Sequence, residues 1–248
     1  MPAVFVHGNP ETAVIWEPLL GELGRTDTIC LSPPGFGAPV PTGFGSTRLE
    51  YGQWLIGELE KIGEPVDLVG HDWGGGHVLH VAMYRPDLVA SWTSDVLGLL
   101  SPEYVWHDAA QLWQTPGVGE ELVAAMTGGT ADERVALMEA SGMAASIARC
   151  LAPGIDAVMG TSLLALYRSA VQPAMAALGE DLPKAAVRPG LALLAENDPY
   201  LGAHEPVYRS AEAAGARVVP LAGVGHWWML DDPSQGALAL TAFWASLA

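Results

Sequence analysis

A carboxylate, an imidazole and a second carboxylate fall in this chain where an alternating strand-and-helix fold would bring them together. Asp72 stands in Gly70-His71-Asp72-Trp73-Gly74, after the short apolar run Pro65 to Val69 and before a helical stretch, Gly75 to Tyr84. Glycines two residues either side of a central residue suit a tight strand-to-helix elbow, where a Cβ would collide with the neighbouring strand or helix. The side chain at the apex is lifted off the sheet. A carboxylate there can attack an sp3 carbon and form an ester on the protein. Such an ester must then be hydrolysed. His226, in Gly225-His226-Trp227, can deprotonate a water for that step, and Asp198, in Asn197-Asp198-Pro199, can fix its tautomer. Glu196 competes with Asp198 for the role, and Asn197-Asp198-Pro199 also reads as a plain turn. Backbone N–H groups of Asn9 and Trp73 are the natural donors to an oxyanion on the ester carbonyl.

These positions make sense only if each follows a strand of a parallel sheet, since ligands bind beyond the carboxyl ends of such strands. The pattern predicts strands at Ala3 to Val6, Thr28 to Ser32, Pro65 to Val69, Ser91 to Leu97, Pro189 to Ala195 and Arg217 to Leu221. Helices are expected over Thr12 to Leu23, closed by Gly24, and over Ser46 to Ile62, with Ser46 as N-cap and Gly63 after the end. Others are expected at Gly75 to Tyr84, Pro206 to Ala214 and Pro233 to Leu247, the last with Asp231-Asp232 as its N-terminal signal. Between about Leu100 and Ala186 the alternation stops. Helical stretches at Gly119 to Met126, Asp132 to Glu139 and Ser162 to Leu178 predict a helical cap, residues 100–186, inserted into an α/β core of residues 1–99 and 187–248.

Composition narrows the function. The 248 residues suffice for one large α/β domain with an insertion, and half of them are hydrophobic. Against 28 acidic residues there are 11 basic ones, a formal charge of −17 that repels phosphate backbones and anionic lipid. No nucleic-acid or membrane partner is expected, only a small hydrophobic substrate and water, with the protein a monomer or homodimer. Cys30 and Cys150 lack any metal-like spacing and read as reduced thiols; with no signal-like leader, a cytoplasmic location is expected. His77, His80 and His107 have no ligand-like spacing with acidic residues, so neither metal nor cofactor is expected.

His7-Gly8-Asn9-Pro10, Gly70-His71-Asp72-Trp73-Gly74, Asp198 and Gly225-His226-Trp227, in the chain order nucleophile, acid, histidine, resemble the α/β-hydrolase superfamily. Within it they are similar to the aspartate-nucleophile branch of epoxide hydrolases and haloalkane dehalogenases. The resemblance covers nearly the whole chain and implies an α/β-hydrolase fold, a mostly parallel sheet flanked by helices. It also implies catalysis by Asp72, His226 and Asp198. Leu166-Tyr167-Arg168 is similar to the cap segment in which epoxide hydrolases carry a ring-opening tyrosine, which makes Tyr167 the acid for a departing alkoxide. A partner tyrosine is not evident at His107 to Gln111, and Tyr104 is a substitute. Asn9 instead resembles dehalogenases, where its amide and the Trp73 indole would hold a halide, whereas Glu11 after Pro10 resembles epoxide hydrolases.

Opening of a small apolar epoxide to a diol is the favoured expectation, with dehalogenation as the alternative. Ester or lactone hydrolysis also stays open, as does a receptor without catalysis. The expected pocket is lined by His7, Trp73, Trp106, Trp113 and Trp227, and Met126, Met143 and Met159 add to its apolar character. His71 packs beside the elbow with no expected chemical role.

Overall fold

The computed structural model describes residues 1–140 and 143–247. Six strands, β1 (Ala3–Val6), β2 (Thr28–Leu31), β3 (Val66–Gly70), β4 (Val89–Ser94), β5 (Gly190–Ala195) and β6 (Ala216–Leu221), form one sheet in the order β2-β1-β3-β4-β5-β6. Every pairing is parallel. The chain order reverses between β1 and β3, so the loops after these two central strands diverge and leave a crevice. Those loops carry Asn9 and Asp72.

Three helices lead into and through this half of the sheet: α1 (Glu17–Leu23), α2 (Arg48–Ile62) and α3 (Trp73–Tyr84). Between β4 and β5 lie α4 (Asp108–Gln114), α5 (Val118–Thr127), α6 (Ala131–Ala140), α7 (Ala145–Leu151), α8 (Ala157–Ser169) and α9 (Ala174–Gly179). The chain closes with α10 (Glu205–Ala213), α11 (Trp228–Asp231) and α12 (Pro233–Ala245). No single described helix is long and apolar enough to cross a membrane.

Strands β1, β3 and β5 are buried throughout, as expected of parallel strands covered on both faces. One core packs Val4, Val6, Leu68, Leu79 and Trp92 with α2, α3 and the helices between β4 and β5. The other packs Phe5, Trp16, Leu19, Val69, Trp228 and Phe243 against α1, α11 and α12. With both faces of β3 sealed, its carboxyl end is the only way its chain can reach a ligand.

Several sequence expectations shift. Ser46 does not cap α2. It takes φ 56°, and Thr47 caps instead, accepting from the Glu50 N–H while the Glu50 carboxylate accepts the Thr47 N–H. The strand expected at Ser91 to Leu97 starts at Val89 and ends at Ser94, because the apolar Leu97–Leu100 forms a 3-10 turn. The helix expected over Ser162 to Leu178 is two helices. Pro173 has no N–H to continue the ladder, so α8 ends at Ser169 and α9 begins at Ala174. The helix α4 went unread because its seven residues, starting at His107-Asp108, carry little apolar periodicity.

The elbow depends on close approach. A Cβ on Gly74 would lie 2.1 Å from the Val6 carbonyl oxygen, so α3 can begin this near β1 only with glycine there. Gly74→Ala is expected to destabilise the fold by about 2–4 kcal/mol, measured by denaturant unfolding; a loss under about 0.5 kcal/mol would mean the backbone shifts freely.

Candidate active site

Asp72 stands two residues past β3 and caps α3 with φ 49° and ψ −127°, a conformation that non-glycine residues rarely adopt. Its backbone N–H donates to Asp95 Oδ1 at 3.0 Å. Its Oδ1 accepts the Asn9 N–H at 3.0 Å, and the carboxylate also accepts the Trp73 N–H. Gly8 has no room for a side chain: a Cβ there would lie 2.2 Å from Asp72 Oδ1. The loop after β1 and the elbow therefore each bring one N–H group against the carboxylate, the arrangement sought in an oxyanion site.

His226 and Asp198 come to the same point from the loops after β6 and β5. His226 Nδ1–H donates to Asp198 Oδ2 at 2.8 Å, and the Tyr200 N–H holds Asp198 Oδ1 at 2.8 Å. That bond leaves Nε2 as the basic nitrogen. Glu196, the competing acid, is exposed. Burial opposes charge on His226, but Asp198 outweighs it and holds the imidazole above its usual range; burial likewise raises Asp198, yet His226 brings it below.

Two cavities open onto Asp72 and His226. The larger, about 230 Å3, is lined by Asn9, His107, Trp113, Met126, Met138, Met143, Tyr167, Tyr200 and Trp227. The smaller, about 30 Å3, is walled by Trp73, Tyr104, Trp106, Asp198 and Leu201 among others. Among the described residues, no lysine or arginine lines either. Of the residues expected in a pocket, Trp113 and Trp227 line the larger cavity, and Trp73 and Trp106 the smaller. His7 lines neither: it lies fully buried behind the loop, where its ring donates to the Gly8 carbonyl and contacts Ser32 Oγ at 3.1 Å. Met159 sits in the core beneath.

Beside Asp72, the Tyr167 ring meets the Trp73 ring edge to face, with ring centres 5.5 Å apart. Burial, with Asp72 nearby, holds the phenol well above its usual range, so it keeps its proton. Tyr104, the substitute acid, has its hydroxyl engaged, donating to the Tyr200 carbonyl at 3.1 Å. His107 was missed as a cavity donor. As N-cap of α4 its Nδ1 accepts the Ala110 N–H at 3.3 Å, so the hydrogen sits on Nε2, and burial lowers the ring to about 4. It is a neutral N–H donor at the cavity wall. The side-chain amide of Asn9 is buried with neither atom hydrogen-bonded.

Sequence reasoning also missed the polar layer under the elbow. His71 Nδ1 lies 2.6 Å from Asp95 Oδ2 and Nε2 lies 3.1 Å from Glu11 Oε1. Glu11, fully buried, also accepts the Gly8 N–H at 3.1 Å and the Trp227 indole N–H at 2.6 Å. Asp95 Oδ2 also takes the Trp228 indole N–H at 2.8 Å. The clue was available: Asp95 falls one residue past β4, at the carboxyl edge like Asp72 and Asp198. Glu11, His71 and His226 have ligand atoms within 4.8 Å of one another, but the Glu11 and His71 atoms already bond each other and His226 is bonded to Asp198.

Residues 3–239 match the model of the alpha/beta hydrolase family, and the chain belongs to that family. A stretch of 94 residues is 36% identical to an epoxide hydrolase of Caballeronia sordidicola, and one of 96 residues is 35% identical to epoxide hydrolase 2 of Siraitia grosvenorii. Those stretches make up 35% and 36% of this chain, and 28% and 30% of the two relatives. A putative epoxide hydrolase of Pseudomonas aeruginosa is similar in structure, with a TM-score of 0.77 at 18% identity over 99% of this chain and 89% of that one. A haloalkane dehalogenase of Bradyrhizobium elkani gives 0.70 at 20% identity over 99% and 91%. A thermophilic esterase of Thermogutta terrifontis gives 0.75 at 18% over 100% and 90%. At such identities the solved structures establish the fold, and the family makes the protein a hydrolase.

Burial, opposed by His226, raises Asp72 to about 6. A carboxyl group raised on folding costs stability above its folded pKa, and that cost disappears as pH falls below it. Asp72→Asn is therefore expected to stabilise the protein by on the order of 2 kcal/mol near pH 8, with the gain shrinking toward pH 5. Unfolding curves at both pH values test this, and an equal or opposite effect at the two would contradict it.

Proposed function

We propose that the protein opens small, neutral, apolar epoxides to diols through an ester on Asp72. The observation that carries this reading is the pairing of Tyr167 with Trp73. Of the two N–H groups expected to hold a halide, the Trp73 indole lies against Tyr167, the two rings meeting edge to face with centres 5.5 Å apart. Tyr167 thereby sits over the elbow, where its O–H can serve a departing oxygen. The lining supports a neutral substrate, since among the described residues no lysine or arginine faces it to receive an acid.

In the first step an Asp72 oxygen attacks an epoxide carbon, the C–O bond breaks, and the departing oxygen takes the Tyr167 proton while the neutral His107 N–H supports it. In the second, His226 takes a proton from water and hydroxide adds to the ester carbonyl. The N–H groups of Asn9 and Trp73 hold the oxyanion. Collapse expels the diol oxygen, which takes the proton held by His226, and the proton left on the Asp72 carboxyl group returns to the Tyr167 phenolate, so that carboxylate, imidazole and phenol are all restored. Acid opposes both steps, since Asp72 must be ionised to attack and His226 must be neutral to accept.

A second reading, halide displacement, is favoured by the partnerless Asn9 amide, a buried donor at the cavity wall.

His226→Gln is expected to stop turnover and trap the ester. Intact mass would rise by the whole substrate with styrene oxide, but by the alkyl group alone with 1-bromobutane. Consumption of substrate without any adduct would count against the covalent path. Tyr167→Phe is expected to slow diol formation by at least ~100-fold while changing bromide release little; the reverse pattern would favour the halide reading.

A further inference from the structure

His71 is a buried ionisable group near Asp72 that neither step uses. Its two ring nitrogens face Glu11 Oε1 and Asp95 Oδ2. An ionised carboxylate only accepts hydrogen bonds, so both nitrogens must carry hydrogen unless one of the acids holds a proton instead. The acids have no place for one. Asp95 Oδ1 faces the Asp72 N–H, and its Oδ2 also faces the Trp228 indole. Glu11 Oε2 faces the Gly8 N–H, and its Oε1 also faces the Trp227 indole. All four oxygens meet donors, so the set reads carboxylate, imidazolium, carboxylate.

Its position matters as much as its charge. Asp95 is 5% exposed, His71 and Glu11 fully buried, and none of the three lines either cavity. Their hydrogen bonds run to the backbone of the elbow (Asp72), to the backbone of the β1 loop (Gly8), and to the two indoles that follow His226. The three loops that carry nucleophile, oxyanion donor and base are therefore tied to one ion triad. Resting on the reading of Asp72 as nucleophile, we propose that His71 is a standing imidazolium, held by Asp95 and Glu11, that keeps the buried Asp72 ionised and fixes the three loops in register. Asp95 and His71 are then positioning residues.

The charges involved are few. His71 is faced by Glu11, Asp95, Asp72 and Asp198, by His226, whose ring centre is 4.6 Å away, and by His7. Asp72 is faced by His226, Glu11 and His71, and by the phenols of Tyr104, Tyr167 and Tyr200. Glu11 acts against ionisation of Asp72 and His71 for it. Removing the His71 charge leaves only the opposing neighbour on that side. Burial alone would discharge His71, but the two carboxylates hold it well above its usual range, while the same contact takes Glu11, despite burial, down to about 2.

The test uses ester formation on the His226→Gln protein, followed by rapid quench and intact mass from about pH 5 to pH 9. Adding His71→Gln, or Asp95→Asn in a separate protein, is expected to move the acid limb up by about one unit, a roughly tenfold loss at the acid end. The rates should converge at the alkaline end, with little change in KM. A uniform loss at every pH, or no loss, would overturn the proposal. On the unmutated protein, 15N shifts of the His71 ring should report both nitrogens protonated across about pH 6 to 9, and a neutral ring there would overturn it without any variant having to fold. Absence of ester in His226→Gln itself would instead reject the nucleophile assignment, leaving the ring measurement to judge the charge.

Discussion

The backbone of Asp72 is held where an L-residue is least comfortable, and much of the surrounding structure exists to keep it there. A residue at φ 49° and ψ −127° costs about 1–3 kcal/mol and persists only when its neighbours over-determine it. Here β3 and α3 enter from either side, Gly74 lets α3 press against β1, and the Asp95 carboxylate takes the one N–H that neither strand nor helix can satisfy. The benefit is direction. The carboxylate projects past the sheet edge into a cavity while its backbone stays locked in the core.

The same location sets an electrostatic problem. Burying a lone carboxylate disfavours its charge, and the role proposed for Asp72 requires that it be charged. The loops answer it by converging donors and cations: N–H groups from Asn9 and Trp73, the imidazole of His226, and beneath them His71 between its two acids. The overall charge of −17 plays no part in this balance. Among the described residues the cavities have no basic wall other than imidazole, which separates this protein chemically from hydrolases that must clamp an anionic substrate.

Most of the sheet could be read from the chain because its strands are short apolar runs separated by turn residues, and because elbow glycines mark a geometry that admits nothing larger. Asp72, Asp198 and His226 were legible for the same reason: each lies just past such a run. What escaped notice depends on distance across the fold. His71 shows no partner in sequence, as Glu11 is 60 residues away and Asp95 is 24. His107 was discounted for lack of metal-like spacing, whereas its value lies in a tautomer chosen by the Ala110 N–H. His7 looked like a wall residue beside Asn9, yet the loop turns its ring toward Ser32. Where helices rest on few apolar residues, as in α4, or meet an interrupting proline, as between α8 and α9, periodicity gives no firm boundary.

The hollow of about 30 Å3 beside Trp106 has roughly the share of space that one molecule takes in liquid water. It touches Asp72 and His226 but none of the methionines that line the larger cavity. Under the ester mechanism proposed above, an organic group bound in the larger chamber would leave that hollow open to the second reactant. The order of bond making and bond breaking would then be written into the shape of the interior.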